Sequence, residues 1–123
     1  MRTYQKNLGD WGEKIAEKYL VDKGYQIISR NYRKRVGEID LVARQGHKTI
    51  FVEVKTRTSS RFGFPEQAID QNKLKKLSDV IEVYLAENKL SDNNIQLDCL
   101  VVEFIQRFNK VKIRHLKNIE VEI

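Results

Sequence analysis

Cysteine is almost absent. Cys99 is the only one in 123 residues, so no disulfide can staple the chain internally. A single thiol fits a reducing compartment, and the expected localisation is cytoplasmic. Cys99 lies in an apolar run and reads as a small core residue. The two histidines, His47 and His115, are far apart in the sequence and have no Cys or His neighbours, which excludes a zinc module. Proline occurs once and glycine six times, which argues against disorder in a chain that is 41% hydrophobic. No apolar run approaches the ~20 residues of a membrane span. The basic stretch 1–6 is not followed by an apolar segment, so no signal peptide is expected. Repeats, low-complexity tracts and linkers are also missing. What remains is one domain, 1–123, long enough to bury a core without staples.

The charge is unevenly placed. Residues 1–61 carry 14 Lys and Arg against 7 Asp and Glu, whereas residues 62–123 carry 9 against 10. The net positive charge therefore belongs to the first half, which suits a polyanionic partner.

That half contains the stretch on which the chain turns, residues 37–57. Two runs rich in Ile, Val and Phe, 38–44 and 49–56, read as strands around Gly46-His47. Glycine at the first central position is the mark of a type II′ hairpin. In that register Asp40 faces Glu53 and Glu38 faces Lys55, and side chains two apart share a face. Opposed carboxylates repel unless a cation lies between them. Lys55 supplies one positive charge, and a divalent metal with a preference for hard oxygen ligands (magnesium, manganese or calcium) would supply two.

Around this hairpin the apolar spacing predicts a helix over 7–23, with Leu8, Trp11, Ile15, Tyr19 and Leu20 on one stripe. Glu13 lies about 20° from Leu20 on a helical wheel, at the edge of that stripe and able to look inward. A strand over 25–32 follows, then the basic turn Arg33-Lys34-Arg35. A polar loop over 58–65 includes Phe62 and Phe64, expected to pin it to the core. A second helix, 71–88, is capped by Asp70 and carries Lys73, Lys75 and Lys76 in its first turns, where a bound phosphate would offset the helix dipole. Ile95–Ile105 is a buried strand in which Asp98 and Glu103 need partners. Lys110–Leu116 alternates as a strand, and 117–123 is a short β-like tail or a docked end. The predicted class is α/β: a mixed central sheet with flanking helices in the order αβββαββ, including a parallel pair across the second helix.

The pattern Glu13…Asp40…Glu53-Val54-Lys55 resembles the PD-(D/E)XK nuclease superfamily. The flanking residues resemble the YraN-like family of small bacterial proteins over nearly the whole chain: Gly12-Glu13, Gly24-Tyr25, Gly37-Glu38-Ile39-Asp40, Phe51–Arg57, Phe62-Gly63, Pro65, Ala68, Lys73, Leu77, Tyr84-Leu85 and Asp98. The resemblance implies the restriction-endonuclease-like fold shared with archaeal Holliday-junction resolvases. It implies that Asp40, Glu53 and the Val54 carbonyl bind Mg²⁺, with Mn²⁺ as an alternative. Lys55 would then act on water or phosphate, and Glu13 would complete the acidic cluster. The function so implied is metal-dependent endonucleolytic cleavage of DNA, with branched or otherwise structured DNA as the expected substrate; the alternative is a nucleic-acid-binding module with the same fold and little or no catalysis. Arg33, Arg35, Arg57 and Lys73 are the candidate DNA contacts, and a homodimer would suit a two-fold junction.

Overall fold

The computed structural model describes residues 4–58 and 69–123. The loop expected over 58–65, with Phe62 and Phe64, and the positions Gly63, Pro65 and Ala68 lie outside the described residues, apart from Thr58 at a strand end. The elements are α1 (Tyr4–Asp22), β1 (Gln26–Lys34), β2 (Gly37–Gln45), β3 (Lys48–Thr58), α2 (Gln71–Glu87), β4 (Ile95–Ile105) and β5 (Lys110–Leu116). This is the expected αβββαββ order.

The strands form one mixed sheet in the order β1-β2-β3-β4-β5. Antiparallel β2 and β3 pair from Gln45↔Lys48 to Leu41↔Val52, the register implied by the Gly46-His47 turn. Gly46 has φ +62 while His47 is not among the positive-φ residues, as a type II′ turn requires. The crossover through α2 makes β3 and β4 parallel, from Thr49↔Ile95 to Thr58↔Phe104. β5 then returns antiparallel to β4.

Each helix covers one face of the sheet. Leu41, Ala43, Ile50, Val52, Leu100 and Val102 pack with Ala16 and Leu20 of α1. Ile39, Val42, Phe51 and Leu97 pack with Leu77, Val80, Ile81, Tyr84 and Leu85 of α2. Strands buried on both sides need near-continuous apolar runs, and β2–β4 have them. α2 starts at its expected cap, where the Asp70 carboxylate accepts the Lys73 amide at 2.8 Å. The last residues form a docked end rather than a strand. The Ile119 amide donates to the Leu97 carbonyl at 2.8 Å, and Ile119 and Val121 pack on the α2-side cluster.

One irregularity positions the site. Ile39 belongs to the α2 face and Leu41 to the α1 face, although residues two apart on a regular strand share a face. The same reversal occurs on β1, where Arg30 bonds Glu17 of α1 and Tyr32 packs on Tyr84 of α2. Between them Asn31 adopts a left-handed φ of 51. Both strands turn over at the level of Asn31 and Asp40.

Candidate active site

The β2–β3 ladder ends at Leu41↔Val52, one residue short of Asp40. Beyond that point Asp40 Oδ2 accepts the backbone N–H of Val54 at 2.8 Å, so a side chain takes an amide that a further rung would have engaged. Asp40 and Glu53 are 9% and 6% exposed, and their carboxyls are in hydrogen-bonding contact. Burial, and then the hydrogen bond and charge of Glu53, hold the Asp40 pKa far above the usual carboxylate range; the Val54 amide opposes this. Two buried carboxyls in contact cannot both ionise cheaply, so without a cation between them the pair retains a proton.

Lys73 answers part of that charge. Reaching across from the first turn of α2, its Nζ lies 2.8 Å from Glu53 Oε2. Glu53 Oε2 nevertheless has no aligned hydrogen bond and is buried. Burial would lower the Lys73 pKa, but Glu53, Asp40 and Glu38 together outweigh it and hold it raised. The Lys73 side chain is half exposed and engaged at the carboxylate pair.

Lys55 follows Glu53 by two residues and is exposed. Val54 and Thr56, on either side of it, face α1: Val54 packs in the α1-side cluster and Thr56 lies under Gly12. A Cβ on Gly12 would meet Thr56 Oγ1 at 1.9 Å, so only glycine permits α1 to approach β3 this closely. That approach brings Glu13 to a surface cavity shared with Leu8, Gly9, Val54, Lys55 and Thr56. Burial, then Asp10, Glu38 and Glu53, raise the Glu13 pKa. Glu13 thus feels the acidic pair, but no group of three or more Asp, Glu, His or Cys side chains among the described residues is close enough to hold a metal. Val54 meets the site through its amide, which bonds Asp40.

Glu38 does not face Lys55. It pairs across β1–β2 with Arg33, at 2.9 Å from Arg33 Nε, because β2 parts from β3 beyond Leu41 but stays paired with β1. Arg33 is therefore partnered, and Arg35 is exposed in the β1–β2 turn. Arg57 lies on β3 four residues beyond Glu53, with its Nε 3.5 Å from Glu103 Oε2.

A second polar cluster was not legible as such. Fully buried Asp98 accepts Gln96 Nε2 at 2.8 Å and the Asn118 amide at 3.1 Å, and it contacts His115 Nε2 at 2.7 Å. His115 Nδ1 contacts the Tyr19 hydroxyl at 3.1 Å. His115 is thus partnered, because β5 and α1 bring together residues separated by most of the chain. Cys99 is a buried core residue whose thiol is pushed up to about 12, first by burial and then by Glu53 and Asp40, which makes it inert.

Fold and site together define an α/β protein in which a mixed five-stranded sheet carries a buried carboxyl pair, with a lysine following it, where two strands part. The chain belongs to the family described as Uncharacterised protein family UPF0102, whose model matches residues 12–116. The YraN-like resemblance is thereby borne out. The chain is 38% identical over 113 residues to a UPF0102 protein of Clostridioides difficile, covering 92% of this chain and 96% of that one. A UPF0102 protein of Caldanaerobacter subterraneus is 38% identical over 118 residues, covering 95% and 97%. One from Syntrophomonas wolfei is 42% identical over 113 residues, covering 92% and 96%. Among solved structures, Pyrococcus furiosus SfsA in complex with Ca²⁺ is similar with a TM-score of 0.44 at 18% identity. That likeness covers 97% of this chain, which spans 65% of the SfsA chain.

Proposed function

We propose that the protein is a metal-dependent DNA endonuclease that hydrolyses phosphodiester bonds, with branched or structured DNA as the substrate class. The observation that carries this reading is the buried Asp40–Glu53 pair. Among the described residues its charge is met by Lys73, whose Nζ lies 2.8 Å from the buried Glu53 Oε2. The donor set fits a hard divalent cation, since Mg²⁺ is commonly held by one or two carboxylates with water and substrate phosphate filling the rest. Mn²⁺ suits the same oxygens.

Asp40 and Glu53 would hold the metal, and the Val54 amide fixes the Asp40 carboxylate in place. When bound, the metal supplies activation of a water and neutralisation of the phosphate. Lys55, exposed two residues beyond Glu53, would place a compact positive charge where negative charge develops on phosphate. Glu13 is set by the Gly12–Thr56 contact to orient water at the edge of the site.

A nucleic-acid-binding module without catalysis is the second reading. It is favoured by one observation: no third carboxylate joins the pair closely enough to complete a cluster among the described residues.

The test combines melting curves with nicking of a four-way junction and other DNA structures. Mg²⁺ or Mn²⁺ should raise the melting temperature of the parent, since a ligand of the folded state stabilises it. Asp40→Asn should abolish both the shift and cleavage without loss of metal-free stability, because a neutral amide can donate to Glu53 as the protonated carboxyl does. Lys55→Ala should retain the shift and lose cleavage. A parent with no metal shift that cuts none of the structures gives the result to the binding module.

A further inference from the structure

We propose that the sheet face formed by β3, β4 and β5 beside α2 is the track along which the phosphate backbone of a DNA strand runs to the Asp40–Glu53 site. The destination of the strand rests on the nuclease reading; the binding of DNA by this face does not.

The register puts the cations together. Glu53, Lys55 and Arg57 share the face of β3 that looks toward α2, because Val54 and Thr56 look toward α1. On β4, Val101 lies beside Lys55 and Glu103 beside Arg57. On β5, Arg114 lies beside Val101, Lys112 beside Glu103 and Lys110 beside Ile105. Ile113 packs in the α1-side cluster and His115 bonds Tyr19 of α1, so Lys110, Lys112 and Arg114 lie on the opposite face. Two rows result, Lys55–Val101–Arg114 and Arg57–Glu103–Lys112, with Lys110 beyond them. Successive rows are two residues apart, about 6.6 Å. Two nucleotides of one strand rise by about the same distance, 6.8 Å.

Among the described residues, five cations on this face meet two carboxylates, Glu103 and Glu53, the latter already paired with Lys73. Glu103 is 3% exposed and lies under Arg57. Arg57 Nη2 and Arg114 Nε make no hydrogen bond, and Arg57 Nε has only its 3.5 Å ion pair with Glu103. Lys55, Lys110, Lys112 and Arg114 have no ion pair among the described residues, whereas the three cations on the opposite edge strand, β1, each have one, Arg35 of the β1–β2 turn apart. Arg30 pairs with Glu17, Arg33 with Glu38 and Lys34 with Glu87. The uncompensated field is therefore on the β5 side and continuous with the site, the arrangement that draws in a polyanion.

The experiment measures anisotropy of a fluorescein-labelled DNA duplex and single strand with the full chain in EDTA, across roughly 50–200 mM salt. Lys110 and Lys112 are exposed, so Lys110→Gln/Lys112→Gln should melt like the parent. It should bind about ten-fold more weakly or worse, with a salt slope less negative by about two. Arg30→Gln/Lys34→Gln, the same charge change at the other edge, should leave affinity within about two-fold. Equal weakening by both doubles means net charge alone acts and overturns the track, as does parental affinity in the β5 double. If the β5 double fails to bind but the parent neither cuts nor shifts with metal, the track stands and the nuclease reading falls. If the parent cuts and the β5 double binds and cuts equally well, the nuclease reading stands and the track falls. A parent that binds no DNA overturns the track.

Discussion

Asp98 has no route to solvent and depends on its donors. Burial pushes its pKa up, but the His115 ring, the Gln96 amide and the Asn118 N–H more than offset this and leave it lowered. A carboxylate whose folded pKa lies below its unfolded value stabilises the fold above the unfolded pKa of about 4, and that contribution fades as pH falls through the folded value. Asp98→Asn should cost about 1.5–3 kcal/mol at neutral pH, as for hydrogen bonds to a charged group. The difference from the parent should shrink between about pH 5 and pH 2, as read from urea melts. Lys73 gives a second prediction at this scale. Lys73→Met leaves Glu53 without its ion pair and should destabilise the metal-free protein by about 1–2 kcal/mol, between the exposed and buried limits for such pairs. Its melting temperature should rise more on adding Mg²⁺ than the parent's does, because no ammonium then competes for Glu53. An equal or smaller rise would show that Lys73 and the metal do not share the carboxylate.

At the scale of elements, the decisive contact is α1 on β3. Alanine is favoured over glycine inside a helix by roughly 1 kcal/mol, so propensity alone makes Gly12→Ala stabilising. The Thr56 side chain reverses the sign, since an added methyl meets it at 1.9 Å. The expected outcome is a loss of about 1–3 kcal/mol, typical of overpacking. Thr56→Ala should recover part of it in a double-mutant cycle, because the two atoms most in the way, Oγ1 and Cγ2, are gone. Additive effects of the two substitutions would deny the contact. Because Glu13 follows Gly12, the same substitution should also reduce any cleavage, whereas an exposed α1 change such as Lys18→Ala should not.

For the molecule as a whole, the chain end closes the α2 side of the sheet. Removing residues 118–123 takes away an amide donor to Asp98, the Ile119–Leu97 backbone bond, and Ile119 and Val121 from the apolar cluster. Partial burial of two aliphatic side chains and loss of one donor to a buried carboxylate add up to about 3–5 kcal/mol. For a domain of this size that is a large share of total stability. Chemical denaturation of the truncated chain should show it as a lower midpoint. No helix among the described residues is long and apolar enough to cross a membrane.

The sequence alone determined the element order, the type II′ turn, the Asp70 cap, and the parallel crossover into β4. Those follow from periodicity, glycine placement and side-chain chemistry within a few residues. It also set Asp40 and Glu53 on neighbouring strands, because a two-residue turn fixes the register. What it could not carry is where that register stops. Strict alternation put Glu38 opposite Lys55, but the strands part after Leu41 and turn over at Asn31 and Asp40, so Glu38 pairs with Arg33 instead. The partners of Lys73, Asp98, His115 and Gly12 were likewise decided only by the tertiary structure. Each contact joins residues distant in the chain, on elements whose relative placement depends on packing across the whole sheet rather than on any local pattern.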